Sequence, residues 1–177
     1  MATETERKYR VDDLDAIRAR LCALGAKRLR RVEEQNTLFD TPDRALLARD
    51  SGLRLRAERD LDTGKVTATL TFKGPRELAG AFKTRDEWEI TVSDGATASA
   101  ILEQLALTQL MSYKKRREYW GLGRVAIGLD DLGRVGKFVE IEGAAAEIET
   151  AERQVGLVVA QVEPRTYPEI ITDHERT

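Results

Sequence analysis

The N-terminal segment Glu4-Thr5-Glu6-Arg7-Lys8 constrains the fold of this chain more than any other stretch. If the segment is extended, successive side chains point to opposite faces of a strand, so every second residue shares a face. One face then carries two acids and two bases, namely Glu4, Glu6, Lys8 and Arg10. A strand in an ordinary core carries apolar residues on its enclosed face. The segment therefore predicts a sheet that encloses charge.

The same two-residue spacing of charges returns in most of the later predicted strands. The residues assigned to the charged face are Arg54, Arg56, Glu58, Lys73, Lys83, Arg85, Glu87, Glu89, Lys114, Arg116, Glu118, Asp130, Glu140 and Glu142. On a single strand this pattern would be typical of the solvated outer face of an antiparallel sheet. The opposite faces are apolar enough to pack against helices, however, so closing the sheet would put the charges inside. Because burying an unpaired ion costs several kcal/mol, the enclosure must hold water.

Such a cavity suits a polyanion that carries a metal ion. Carboxylates bind hard cations, which prefer oxygen ligands, and Lys and Arg bind phosphate oxygens. The segment Gly133–Gly136 resembles a glycine-rich phosphate loop only loosely, and we interpret it as a turn. Side chains would therefore have to recognise the phosphate groups.

The remaining pattern predicts an α+β chain with roughly eight strands and three helices. Helices are predicted at 14–24, 98–107 and 144–159 from their 3.6-residue apolar spacing, with a short helical piece at 45–49. Cys22 is expected to pack within the first helix. Residues 1–177 are long enough to bury a core, and we expect a single domain.

Composition excludes several classes of protein. The 29 basic and 31 acidic residues nearly cancel, which argues against a general nucleic-acid binder. The single Cys22 leaves neither a disulfide nor a thiolate metal cluster. The single His174 lies among polar residues near the end and is expected in a solvated tail, which leaves carboxylates, Lys and Arg for catalysis. With neither a signal peptide nor a long apolar run, we expect a cytoplasmic protein without a membrane partner, and a homodimer is left open.

The pattern resembles the CYTH family, the triphosphate tunnel metalloenzymes, which include class IV adenylyl cyclases, thiamine triphosphatases and inorganic triphosphatases. The family hallmark Glu-x-Glu-x-Lys stands here as Glu4-Thr5-Glu6-Arg7-Lys8. Further similar blocks follow in order along nearly the whole chain: Phe39–Pro42, Leu53–Arg56, Phe72–Pro75, Arg85–Glu89, Lys114–Tyr119, Leu129–Asp130, Phe138–Glu142 and Arg165–Tyr167. The order of the last blocks is most similar to proteins labelled class IV cyclases.

The resemblance implies an eight-stranded antiparallel β-barrel, open as a tunnel and flanked by about three helices, with Mg²⁺ or Mn²⁺ and a triphosphate inside. It implies metal ligation by Glu4, Glu6, Glu140 and Glu142, with Asp130, Glu87 and Glu89 as further acidic candidates. It implies phosphate binding by Lys8, Arg54, Arg56, Lys73, Arg85, Lys114 and Arg116. The residues expected to be catalytic are Glu4, Glu6, Lys8 and Glu140.

Two reactions and one binding role stay open for such a site. Hydrolysis of ATP, inorganic triphosphate or thiamine triphosphate releases orthophosphate, whereas a class IV cyclase converts ATP to cyclic AMP and pyrophosphate. We rank hydrolysis first because it needs only a triphosphate and water, while cyclisation also needs a base and sugar pocket that the sequence does not reveal. A nucleotide- or polyphosphate-binding module without turnover ranks third, since binding alone would favour bases over acids.

Overall fold

The computed structural model describes residues 2–79 and 82–176. Within them the strands are β1 (Ala2–Val11), β2 (Lys27–Asp40), β3 (Gly52–Asp60), β4 (Val66–Lys73), β5 (Glu77–Ala79), β6 (Phe82–Val92), β7 (Thr108–Leu122), β8 (Val125–Asp131) and β9 (Lys137–Glu142). The α-helices are α1 (Leu14–Ala23), α2 (Ala45–Ala48), α3 (Gly95–Gln104), α4 (Ala145–Val155) and α5 (Tyr167–Glu175). No helix in these ranges has the length and apolar character needed to cross a bilayer.

Hydrogen bonding joins the strands in the order β1-β9-β8-β7-β2-β3-β4-β6, and β1 also pairs with β6. These eight strands therefore form a closed ring, and the short β5 adds to β6 as a ninth strand. The predicted α+β fold with a closed eight-stranded antiparallel barrel is confirmed.

The chain forms two compact units, each built from separate parts of the sequence. The first unit contains most of β2 and β6, all of β3, β4, α2 and α3, and the start of β7. The second unit contains most of β1, the rest of β7, and β8, β9, α1, α4 and α5. That the whole chain is a single domain stays a prediction.

The core of the second unit lies between its sheet and the helices α1 and α4. Tyr9, Ile141 and Ile148 have no exposed surface and belong to one apolar cluster with Leu21 of α1. The side chain of Asp13 caps α1 by accepting two backbone N–H groups. Since these strands pack helices on their apolar face, their charged residues lie on the other one.

The first unit has a smaller core of its own. Leu102 of α3 packs with the buried side chains Phe39 and Leu55. Asp94 caps α3, so the helix begins three residues before the predicted start at Ala98. The cap accounts for the difference, because its carboxylate accepts the Thr97 N–H group and extends the helix beyond its apolar stripe.

Two expectations about the helices are wrong. Cys22 is exposed rather than packed, because it lies on the outer side of α1. The predicted C-terminal tail forms α5, which adds to the three helices expected. Its N-terminus has a capping box in which the side chains of Thr166 and Glu169 each accept a backbone N–H group, and the Thr-x-x-Glu spacing was visible in the sequence. His174 is exposed near the end of α5, as expected for a solvated residue.

Candidate functional site

Three carboxylates gather on the charged face of the second unit. Glu6 lies on β1, and Glu140 and Glu142 lie on β9. The antiparallel register places Glu6 opposite Glu142 and Lys8 opposite Glu140, so their side chains share one face. One oxygen from each carboxylate lies within 4.8 Å of the other two. The pairing of β1 with β9 thus brings Glu6 together with Glu140 and Glu142 in one candidate metal site.

Glu140 is the most buried of these acids and is surrounded by cations. It is 5% exposed, its Oε1 lies 3.2 Å from the Lys8 ammonium, and its Oε2 accepts a hydrogen bond from Arg117. Burial alone would raise the pKa of Glu140, but the charges of Arg117, Lys8 and Lys115 outweigh it and hold the pKa well below its usual range. Glu140 is therefore a carboxylate at neutral pH.

Asp130 of β8 lies on the same charged face but serves a different network. It has no exposed surface and accepts hydrogen bonds from Lys115, from Arg117 and from the Tyr167 hydroxyl. The Arg117 Nε lies 2.6 Å from it, and the Tyr167 oxygen 2.5 Å. The carboxylate cluster found among the described residues does not include Asp130. Asp130, which was predicted as a metal ligand, thus accepts hydrogen bonds from the cations Lys115 and Arg117 in the structure.

The predicted phase of β7 is wrong. Lys115 and Arg117 are 4% and 5% exposed and lie with Asp130, whereas Lys114 and Arg116 are exposed. Four consecutive bases occupy positions 114–117, so charge alone cannot show which pair is enclosed. The sequence signal that was missed is Trp120, an apolar core residue of β7. Its side chain lies on the same face of the strand as Arg116, so Arg117 must lie on the other face.

Two further features agree with the observed phase of β7, in which Lys115 and Arg117 are the enclosed bases. Glu118, which was assigned to the charged face, accepts two hydrogen bonds from Arg18 of α1 and so lies on the face that packs against helices. Gly128 of β8 leaves room for the Arg117 guanidinium, since a Cβ atom there would lie 3.0 Å from Arg117 Cζ. A side chain at position 128 would therefore displace the group that bonds both Asp130 and Glu140.

The first unit has its own charged cluster on β2 and β3. The Arg56 Nε lies 3.3 Å from the Asn36 side-chain oxygen and 3.6 Å from Glu34, and its Nη1 lies 3.3 Å from Glu58. Glu34 and Asn36 are fully buried, yet sequence reasoning missed both. The available signal was their two-residue spacing from the apolar Val32, which places all three residues on the same face of β2.

Arg54, two residues before Arg56, has an unsatisfied donor. Its Nη2 lies 3.4 Å from the Thr71 hydroxyl, but its buried Nε has no hydrogen-bond partner in the described part of the chain. Burial and the neighbouring Arg56 charge lower the pKa of Arg54. A buried guanidinium N–H without an acceptor is costly, so this geometry favours an anionic ligand at Arg54.

Several other predicted residues of the first unit contact one another around Lys73 and Thr71. Lys73 forms ion pairs with Glu87 and with Glu4, the latter at 3.5 Å. Burial would raise the pKa of Glu87, but hydrogen bonding with Glu4 and the charge of Lys73 lower it overall. Glu89 accepts a hydrogen bond of 2.9 Å from the Thr71 hydroxyl. Glu4, Glu87 and Glu89 are thus not brought into the carboxylate cluster found in the described residues.

Arg85 is half-buried on β6. Burial raises the pKa of Asp50, but hydrogen bonds from Arg76 and the charges of Arg76 and Arg85 lower it overall. Arg85 is therefore near enough to lower the pKa of Asp50, which was not among the site residues predicted from the sequence.

Comparisons with known proteins agree with this arrangement. The protein named adenylate cyclase CyaB from Aeromonas hydrophila is 27% identical over 176 residues, which are 93% of this chain and 86% of that protein. The structure of the PH1819 protein from Pyrococcus horikoshii has a TM-score of 0.82 and 27% identity, covering 97% of this chain and 99% of that one. HpAC1 from Hippeastrum, for which a dominant triphosphatase activity is described, has a TM-score of 0.74 and 17% identity, covering 97% and 96%.

The family model of the CYTH domain matches residues 2–167. This range contains the charged residues of both clusters, beginning with Glu4 on β1, and it ends at Tyr167, the first residue of α5. With the closed barrel and the carboxylate cluster, it shows that this chain belongs to the CYTH family.

Proposed function

We propose that this chain is a triphosphatase that requires a divalent metal ion and releases orthophosphate from a triphosphate. The observation that carries the proposal is the carboxylate cluster of Glu6, Glu140 and Glu142 beside the buried cations Lys8 and Arg117. A site that binds a triphosphate together with its metal ion needs both kinds of group. A site that binds phosphate alone has no use for clustered carboxylates, which repel it.

The donor set fits Mg²⁺ or Mn²⁺. Hard divalent cations take oxygen ligands, and Glu6, Glu140 and Glu142 would hold the ion through carboxylate oxygens. A divalent cation bound there would neutralise phosphate charge and make a water molecule more acidic. The lowered pKa of Glu140 keeps this ligand ionised at neutral pH.

The bases of the chain have the complementary role of binding phosphate oxygens. In the second unit, Lys115 and Arg117 replace Lys114 and Arg116 as candidates, because they lie on the charged face with Lys8. In the first unit, the unsatisfied Nε of Arg54 supports a phosphate contact. The other phosphate ligands that we propose there are Arg56, Lys73 and Arg85. Fixed cations stabilise the negative charge that builds up on the leaving group with little reorganisation.

Cyclisation of ATP is the second candidate, and the names of relatives favour it. The Aeromonas hydrophila protein that matches 93% of this chain is named an adenylate cyclase. The likeness to HpAC1, at 17% identity, concerns the fold alone and shows that this fold accommodates hydrolysis in another protein. We rank hydrolysis first because the charged residues described here account for metal and phosphate without requiring a base or a sugar.

The deciding experiment asks which phosphorus is attacked. The protein is incubated with Mg²⁺ or Mn²⁺ and, separately, with ATP, inorganic triphosphate or thiamine triphosphate, and the products are separated. We expect orthophosphate from inorganic triphosphate and little cyclic nucleotide from ATP. A cyclase would give cyclic AMP and pyrophosphate from ATP and leave inorganic triphosphate intact, because that substrate has no 3′-hydroxyl to act as the nucleophile.

Two controls connect turnover with the carboxylate cluster. A chelator and the substitution Glu140→Gln should each abolish turnover, whereas Glu149→Gln, on the exposed side of α4, should leave it unchanged. Cyclic AMP as the main product would replace hydrolysis with cyclisation. Tight triphosphate binding without turnover of any substrate would favour a binding module.

A further inference from the structure

The segment Glu163–Tyr167, here called the C-terminal strap, joins the second unit's core to α5. It begins alongside β1, where Tyr9 pairs with Val162 and the Glu163 N–H donates to the Lys8 carbonyl at 2.8 Å. The strap is held firmly at both ends. Its Arg165 side chain bonds Glu163 and Asp173, and α5 starts with the Thr166 capping box.

Three lysines from three different strands contact this strap. The ammonium groups of Lys8 on β1 and Lys83 on β6 donate to the Arg165 carbonyl oxygen at 3.2 Å and 3.1 Å. The ammonium groups of Lys8 and Lys115 lie 3.7 Å and 4.7 Å from the centre of the Tyr167 ring. Lys8, Lys83 and Lys115 are all less than 7% exposed. One short segment therefore fixes three buried cations that lie far apart in sequence.

The chemistry of these contacts differs from that of an ion pair. A carbonyl oxygen and an aromatic face attract an ammonium group without supplying a negative charge. The strap therefore orients these ammonium groups without adding a negative charge to those that already face them, namely Glu140 beside Lys8, Glu6 beside Lys83 and Asp130 beside Lys115. The Tyr167 ring is fixed in turn, because its hydroxyl donates to Asp130 at 2.5 Å and its edge packs against Phe138 at 5.4 Å between ring centres.

We propose that Tyr167 and the Arg165 carbonyl are positioning groups that hold Lys8, Lys83 and Lys115 in place for the phosphate chain of the substrate. This inference rests on the proposed triphosphatase function and extends it to the C-terminal strap. Tyr167 acts through the lysines and does not itself take part in the reaction.

The test compares two substitutions at one position. Tyr167→Phe keeps the ring over the lysines and removes the hydroxyl bond to Asp130, whereas Tyr167→Leu removes both. Since each cation–π contact contributes a modest amount, we expect Tyr167→Leu to bind inorganic triphosphate about tenfold more weakly than Tyr167→Phe in metal-free buffer. His174→Ala, on the exposed end of α5, serves as the control and should bind like the wild type.

A spectroscopic measurement reports the same geometry without activity. In protein labelled with ¹³C-lysine, ring currents from Tyr167 should shift the ε-methylene protons of Lys8 and Lys115 upfield. The shift should persist in Tyr167→Phe and vanish in Tyr167→Leu. Thermal unfolding of each variant identifies any loss of fold, and Tyr167→Phe keeps the comparison interpretable if Tyr167→Leu unfolds.

The outcomes separate this inference from the function on which it rests. Equal triphosphate affinity of folded Tyr167→Leu and Tyr167→Phe, or wild-type lysine signals without a shift, would overturn the positioning role and leave the triphosphatase proposal standing. A wild-type protein that neither binds nor cleaves inorganic triphosphate would overturn both. Weaker binding by Tyr167→Leu together with loss of the shift would support both.

Discussion

The charged clusters of the two units contain the same kinds of residue but arrange them differently. In the second unit three carboxylates gather, and the nearby bases Lys8 and Arg117 contact Glu140. In the first unit two arginines are neighbours on β3, and Arg54 has a buried Nε without a partner in the described residues. The carboxylates of the second unit suit a cation, and the arginines of the first unit suit an anion.

This difference shows that cross-strand register, more than composition, decides what a charged face binds. Register placed Glu6 opposite Glu142 in the second unit, so that acids share one place. In the first unit it placed Glu34 opposite Glu58, with Arg56 in contact with both. Acids of both units contact bases, but in the second unit oxygens of three carboxylates lie within 4.8 Å of one another and can be shared by one metal ion.

The largest expected effect tests the phase of β7 in the second unit. Arg117→Ala should lower the free energy of unfolding by about 3–5 kcal/mol, because it leaves Asp130 and Glu140 buried with fewer cations. Arg116→Ala, its exposed neighbour, should change it by less than about 0.5 kcal/mol. Urea denaturation of both variants provides the measurement. Similar losses from the two substitutions would contradict the structural phase.

The next prediction assigns the metal to one cluster. Glu140→Gln should reduce turnover by about a hundredfold or more and weaken Mn²⁺ binding, since changes to residues that merely support a metal ligand already cost about 10–100-fold. Glu87→Gln, in the first unit, should leave Mn²⁺ affinity near the wild-type value, because Glu87 is paired with Lys73. Titration of Mn²⁺ followed by electron paramagnetic resonance measures both. A larger loss from Glu87→Gln would move the metal site to the first unit.

A third prediction concerns the anion preference of the first unit. Arg54→Ala should weaken binding of inorganic triphosphate by about 1.5–3 kcal/mol, the size of a lost charge-assisted hydrogen bond. Arg59→Ala should have little effect, because Arg59 is exposed and pairs with Glu33 at 3.0 Å. Isothermal titration calorimetry gives both affinities. Unchanged binding by Arg54→Ala would show that its unsatisfied Nε has no part in phosphate recognition.

The smallest effect concerns stability away from both clusters. Asp40 is 2% exposed and accepts the backbone N–H groups of Thr41, Leu46 and Leu47; burial would raise its pKa, but these hydrogen bonds lower it overall. Asp40→Asn should reduce the free energy of unfolding by about 1–2 kcal/mol at pH 7.

The pH dependence of this effect has a definite sign. Because the pKa of Asp40 is lower in the folded state, its stabilisation is complete above the ordinary value of 3.8 and is lost as the pH falls through the folded pKa. The difference between wild type and Asp40→Asn should therefore shrink below about pH 4. Denaturation curves at pH 3, 5 and 7 would show this, and a constant difference would exclude an ionised Asp40 as the cause.

The sequence by itself determined the charged face of β1 and β9, and its resemblance to the CYTH family implied the closed barrel. In these strands charged residues alternate with apolar ones, as in Lys8 beside Tyr9 and Glu140 beside Ile141. Since side chains alternate with a period of two, one apolar core residue fixes the face of every neighbour along the strand. The helix α1 was predictable for a similar reason, from the 3.6-residue spacing of its apolar positions and from its Asp13 cap.

Only the tertiary structure decided which charges meet. The run of bases at 114–117 contains no apolar residue, and the nearby Trp120 was the only sequence signal that we found for its phase, so the enclosed pair was identified from the pairing of Arg117 with Asp130 across β7 and β8. Asp130 accepts a hydrogen bond from Tyr167, which lies 37 residues away in sequence. Electrostatic interactions depend on distances of a few ångströms, and sequence spacing does not fix such distances between residues on different strands.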